Sequence, residues 1–114
     1  MENCKTSILG TEYTIEFHTV EEEPRLKSRD GFMDYSVKKI VIGKFDSDEG
    51  SIENLDAYAR RLIRHEIIHA YFYESGTWEM SGSAESWACD ETITDWFAIQ
   101  APKIFKTFQE VGAL

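Results

Sequence analysis

Residues 55–75 contain neither proline nor glycine and repeat apolar side chains at helical spacing: Leu55, Tyr58, Ala59, Leu62, Ile63, Ile67, Ala70 and Tyr73. One long helix accounts for the pattern, with Asn54 as N-cap and Gly76 as the residue past its C-terminus. On a helical wheel Leu62, Tyr73, Ala59, Ala70 and Ile63 form a broad apolar arc. Phe72 and Ile68 continue it beyond two histidines, so the C-terminal half is expected to be buried on most sides. The chain has 114 residues, which suits one domain, 1–114, and not two. Whatever else it forms must therefore pack around this helix.

The helix carries His65-Glu66-Ile67-Ile68-His69. Positions i and i+4 lie about 40° apart around an α-helix, so both imidazoles can reach one ion. Neutral imidazole is a good zinc ligand, and a catalytic zinc site keeps one position open for water. Glu66 stands where it can take a proton from that water. This HExxH pattern points to zinc-assisted hydrolysis, most often of a peptide bond. The rival reading is two surface histidines and no metal, which a third ligand would exclude.

A second helix is expected over residues 83–100, capped by Ser81 or Ser83. Glu91 and Asp95 are again i and i+4 on one face, which they share with Ala84, Ala88, Ala98 and Trp87. Small residues let two helices approach closely, as a shared metal requires. Ile93, Trp96 and Phe97 point elsewhere and are expected in the core. Asp90 and Glu85 are rivals to Glu91 as ligand, and a solvated acidic face is the plain alternative for the whole set.

HExxH followed by Glu91-Thr92-Ile93-Thr94-Asp95 on the next helix resembles the gluzincin branch of zincin-fold metallopeptidases. The chain also looks like the short zincin-like proteins of Gram-positive bacteria and their phages, and is distantly similar to ImmA/IrrE-type and SprT-type minimal metallopeptidases. The motifs that carry this resemblance cover residues 65–98. It implies that His65, His69 and Glu91 bind one Zn2+ and that Glu66 is the general base. It also implies that Asp95 hydrogen-bonds the outer nitrogen of His65, which would fix the tautomer and orientation of that ring. Many gluzincins carry a later His or Tyr that stabilises the tetrahedral intermediate. This chain has neither after Tyr73, so Tyr73, Tyr35 or a backbone amide is left for the role.

The remaining sequence frames the fold. Residues 11–19 alternate, with Tyr13, Ile15 and Phe17 on one side and Thr14, Glu16 and His18 on the other, as in a half-buried strand. His18 is on the polar side, which makes it a surface residue and not a ligand. A charged connection with Pro24 follows, then an Asp30-Gly31 turn signal. One or two strands are expected over residues 32–44, most clearly 37–42, with the latter as a sheet edge able to pair with an extended peptide by resemblance to zincins. Residues 45–54 read as a polar loop with Gly50. Residues 76–83 read as a connection holding Trp78 and Met80, with Trp78 a candidate substrate contact. Pro102 suits the first turn of a short last helix over residues 102–111, with Ile104, Phe105, Phe108 and Val111 inward. The expected class is α+β, in a minimal zincin-like arrangement.

Net charge is −9 with a pI near 4.7, which argues against nucleic acid as the main partner. Arg60, Arg61 and Arg64 on the first helix, and Lys38 and Lys39 on a strand, read as solvated faces. No run of apolar residues is long enough to span a membrane. The N-terminus does not read as a signal peptide, and Cys4 and Cys89 form no CxxC pair, so free thiols in a cytoplasmic protein are expected. The leading functional expectation is a zinc metallopeptidase acting on a protein or peptide. The alternative is a zinc-binding regulatory or adaptor module. Two histidines and a carboxylate also suit iron, manganese or cobalt, and neither substrate nor oligomeric state is legible.

Overall fold

The computed structural model describes residues 2–44, 54–80 and 90–114. The expected loop through Gly50, the caps Ser81 and Ser83, and the expected placements of Ala84, Glu85, Trp87, Ala88 and Cys89 lie outside the described residues.

Alternation in the first half builds a sheet. Among the described residues it comprises β1 (Cys4–Ile8), β2 (Thr11–His18), β3 (Gly31–Asp34) and β4 (Lys39–Gly43), in the order β1-β2-β4-β3. The β2–β4 pair is parallel and the other two are antiparallel. Two long helices follow, α1 (Leu55–Glu74) and α3 (Glu91–Glu110), with a single turn, α2 (Thr77–Met80), between them. The class is therefore α+β. No helix among the described residues is long and apolar enough to cross a membrane.

Tyr13, Ile15 and Phe17 of β2 point with Ile40 and Ile42 of β4 to one face, where Leu62, Ile63, Ile67 and Ala70 of α1 cover them. Each isoleucine, leucine or phenylalanine of this set contributes about 1.5–3 kcal/mol on full burial. The opposite face is covered by one 3-10 turn (Pro24–Lys27), whose Leu26 packs on Phe32 and Val41. Glu74 at the end of α1 ties helix to sheet. It accepts hydrogen bonds from Tyr13 Oη (2.7 Å), Thr11 Oγ1 (2.9 Å) and Lys38 Nζ (2.9 Å). Lys38 is thus not a free strand-face lysine. It lies just before β4 with φ +55° and is engaged by the helix.

Three sequence expectations are corrected at the sheet. β1 was not anticipated. It joins β2 through a two-residue turn in which Leu9 (φ +49°) and Gly10 (φ +88°) are both left-handed. That is a type I′ geometry, for which Asn-Gly and not Leu-Gly is the usual signal. Residues 37–42 are not an edge, because β4 lies between β2 and β3 and buries Ile40, Val41 and Ile42 completely. Among the described residues the open edge on that side is β3. Gly31, read as part of a turn, instead begins this strand, and a Cβ there would stand 3.0 Å from the Val41 carbonyl oxygen.

The helical region differs more. Asn54 caps α1 as expected, accepting from Ala57 N at 3.1 Å, and Gly76 follows its end with φ +80°. Two helices were expected over residues 83–100 and 102–111. Instead Asp90 is an N-cap and a single helix runs through Pro102 to Glu110. Proline has no N–H to give the carbonyl four residues back. That carbonyl, Ala98 O, accepts from Arg64 Nε of α1 at 2.6 Å, so the break in the ladder is satisfied from outside.

α3 meets α1 through Thr94, Ala98 and Ala101, which are all buried. Of the large residues expected in the core, Phe97 and Ile104 are half-buried and the others are exposed. Trp96 is 57% exposed and Phe105 46%, and Ile93, Phe108 and Val111 are exposed as well. Close approach through small side chains leaves the bulky ones outside. Ile93, Trp96 and Phe97, with Ile68, Tyr71 and Phe72 of α1, line an open apolar groove of about 660 Å³. The C-terminal half of α1 is accordingly buried on the sheet side and open on this one.

Candidate metal centre

α1 presents His65, Glu66 and His69 from one face, and the first two turns of α3 bring Glu91 and Asp95 opposite them. His65 Nε2 lies 2.7 Å from Glu91 Oε2, His69 Nε2 lies 2.8 Å from Glu91 Oε1, and the two Nε2 atoms are 3.1 Å apart. Ligand atoms of His65, Glu66 and His69 all fall within 4.8 Å of one another. Of the rival ligands, Asp90 is occupied as the α3 cap, accepting from Thr92 N at 2.6 Å, and Glu85 is outside the described residues. His18 is remote in role as well as in sequence, paired with Glu16 at 2.8 Å on the sheet.

Asp95 lies between two α1 residues. One oxygen is 3.3 Å from His65 Nδ1 and the other accepts from Arg61 Nη2 at 2.5 Å. Arg61 first, and His65 after it, hold the Asp95 carboxyl below its usual range. Arg61 and Arg64 are not the solvated residues that the sequence suggests. They instead bind α3, and their spacing of one turn and one residue before His65 is the signal that would have suggested it.

The chemistry of this donor set fits a cation, whereas two neutral imidazoles satisfy it poorly. If His65 donates from Nδ1 to Asp95, the neutral ring leaves Nε2 bare, facing a Glu91 oxygen at 2.7 Å. If both rings instead carry Nε2 protons toward Glu91, those protons confront each other across 3.1 Å. A metal ion among the three atoms removes both conflicts. Tetrahedral zinc with bonds near 2.0–2.1 Å would space its ligand atoms by about 3.3 Å, slightly wider than the separations here. His69 has no second anchor: its Nδ1 is buried without a hydrogen-bond partner among the described residues. Burial holds the His69 ring below the usual imidazole range and so favours the neutral form that ligates.

Glu66 is 6% exposed. Burial pushes its pKa up to about 7, against the opposing pull of His65 and, more weakly, of Arg29. It opens onto a cavity of about 530 Å³ whose walls include Ser28, Arg29, Gly31 and Met33 on the β3 side, Tyr35 and Trp78 at one end, and His69 and Glu91. A smaller cavity of about 320 Å³ adjoins it and shares Gly31, Glu66 and Glu91, with His65, Asp95 and Arg61 beyond. The open edge of β3 borders both. Asp30 O accepts from Gly43 N at 2.8 Å. By the alternation of an antiparallel ladder, Gly31 and Met33 then turn their amides and carbonyls away from β4.

Trp78 sits 5.7 Å from the His69 ring, centroid to centroid. Tyr73 stacks on Tyr35 at 4.5 Å beneath the Lys38 ammonium. Of these two tyrosines, Tyr35 is the one that lines the cavity. Comparison with models of known families, with curated proteins and with solved structures finds no match.

Proposed function

We propose that the chain is a zinc-dependent peptidase of minimal zincin-like form, with His65, His69 and Glu91 as ligands and Glu66 as general base. The observation that carries this reading is the convergence of two imidazole Nε2 atoms and one carboxylate, all within 3.1 Å, beside a buried glutamate that has no hydrogen-bond or ion-pair partner among the described residues. A bound zinc ion supplies Lewis-acid polarisation of a carbonyl and acidifies water. Glu66 accepts the proton of the attacking water on its carboxylate and delivers it to the leaving amine. Asp95, itself held by Arg61, fixes the His65 ring so that Nε2 faces inward. The substrate is an extended peptide that pairs with the outward backbone groups of Gly31 and Met33, as strands add to an open edge. Trp78 and Tyr35 close the end of the cleft near His69 against water.

A second reading is a zinc-binding regulatory module of the same fold. Its support is that Tyr73, the last tyrosine of the chain, is engaged in the Tyr35 stack. One variant separates the two readings. Glu66→Gln should retain one equivalent of zinc and lose cleavage of a peptide library followed by mass spectrometry. Undiminished cleavage by this variant would overturn the mechanism, and absence of cleavage by the zinc-loaded parent would favour the regulatory reading.

A further inference from the structure

The cleft has a chemical polarity that the peptidase reading does not use. Four of the five arginines are engaged: Arg25 with Glu23 and Asp34, Arg60 with Asp56, Arg61 with Asp95, and Arg64 with the Ala98 carbonyl. Arg29 has no hydrogen-bond or ion-pair partner among the described residues and is exposed. Among the described residues it is also the only arginine or lysine in the wall of the cavity that contains Glu66, His69 and Glu91, where Ser28 stands beside it. Arg29 precedes β3 by two residues, and Tyr35 follows the last residue of that strand. The two therefore mark opposite ends of the open edge, one cationic and the other aromatic.

We infer that Arg29 is a specificity-determining residue that recognises a carboxylate on the bound peptide, so that the preferred substrates are acidic at the end lying over the start of β3. The inference rests on the peptide-binding part of the proposal above. Arg29 acts on Glu66 only across the cavity, and a planar guanidinium with no hydrogen-bond or ion-pair partner among the described residues is suited to take a carboxylate through two parallel hydrogen bonds. The chain as a whole carries −9, so an acidic ligand gains nothing from the overall field. The preference must then be local and must disappear with this one side chain. The carboxylate can come from an internal Asp or Glu or from a free C-terminus.

Binding to the full-length, zinc-loaded Glu66→Gln variant tests this without turnover. The probes are end-blocked fluorescent hexapeptides with one Glu moved along an otherwise Ala, Ser and Phe sequence. Their Gln counterparts serve as controls, together with the same peptides bearing a free C-terminal carboxylate. The expected result is about tenfold tighter binding of a carboxylate peptide than of its neutral counterpart, a modest value because the site is partly exposed. Which of the two series shows it identifies the source of the carboxylate. Adding Arg29→Gln should abolish the difference, and Arg29→Glu should reverse it in favour of Lys peptides. Direct ligation of zinc by the carboxylate would leave the preference intact in Arg29→Gln and would overturn the inference. Equal affinities, or no binding at millimolar peptide, would also overturn it. In the parent protein, Arg29→Gln should raise KM for acidic peptides alone. A uniform fall in kcat for every peptide would instead place Arg29 in the reaction and refute its selecting role. Cleavage without acidic preference would sink this inference alone, whereas Arg29-dependent binding without cleavage would sink the hydrolytic reading alone.

Discussion

Arg64 on α1 donates through Nε to Ala98 O on α3, the carbonyl that Pro102 leaves without its helical partner. A single side chain thereby satisfies the carbonyl freed by a proline inside a helix and at the same time ties α1 to α3.

If that is the role of Arg64, Arg64→Met should destabilise the protein by about 1–3 kcal/mol, the cost of an unpaired buried carbonyl. Pro102→Ala restores the missing N–H. In that background the loss of Arg64 should cost clearly less, a coupling measurable in a double-mutant cycle from urea midpoints. Additive effects would show that the two residues act independently.

Asp95 touches His65 on one side and Arg61 on the other. Asp95→Asn should lower zinc affinity about 10–100-fold in a competition titration against a chelator, as loss of an outer carboxylate generally does. Arg61→Gln should lower it less, since Asp95 keeps its contact with His65. An unchanged affinity in both variants would remove this pair from the centre.

Zinc at a hundredfold excess over its Kd should stabilise the fold by about 2.7 kcal/mol and raise Tm by roughly 10 °C. His65→Ala and Glu91→Gln should each abolish most of that shift. The shift should also fade in acid, because imidazole must be neutral to bind a metal. A Tm indifferent to zinc at pH 7.5 would leave the histidines without a metal role.

Glu74 has its carboxyl held below its ordinary value of 4.5, first by the Tyr13 hydroxyl and next by Lys38. A depressed carboxyl stabilises the folded state above its unfolded pKa and loses that contribution as pH falls through the folded value. Stability should therefore decline from about pH 4.5 downward. Glu74→Gln should cost about 1–2 kcal/mol at pH 7 and flatten that acid slope. An equally steep slope in the variant would assign the acid sensitivity to other carboxylates.

Local chemistry made part of the protein legible from its letters. The 3.6 period and the caps Asn54 and Gly76 depend only on neighbouring residues, and they located α1 to within a residue. The i, i+4 spacing placed His65 and His69 on one face for the same reason, and strict alternation located β2. The rest depended on contacts between residues far apart in the chain. Whether β4 is central or an edge depends on which strand pairs beside it, and each strand's own pattern allows both. Which face of α3 is buried was decided by how closely α1 approaches. Thr94, Ala98 and Ala101 admit that approach and Trp96 does not, so the bulky face expected inside lies outside. Pro102 ends a helix on local grounds, but here the helix continues through it, and the carbonyl it frees is satisfied by Arg64, 38 positions earlier in the sequence. Glu91 could be recognised from sequence as one of three eligible acids. Its meeting with two imidazoles was decided by the crossing of two helices, because a carboxylate reaches a metal only where the backbone carries it.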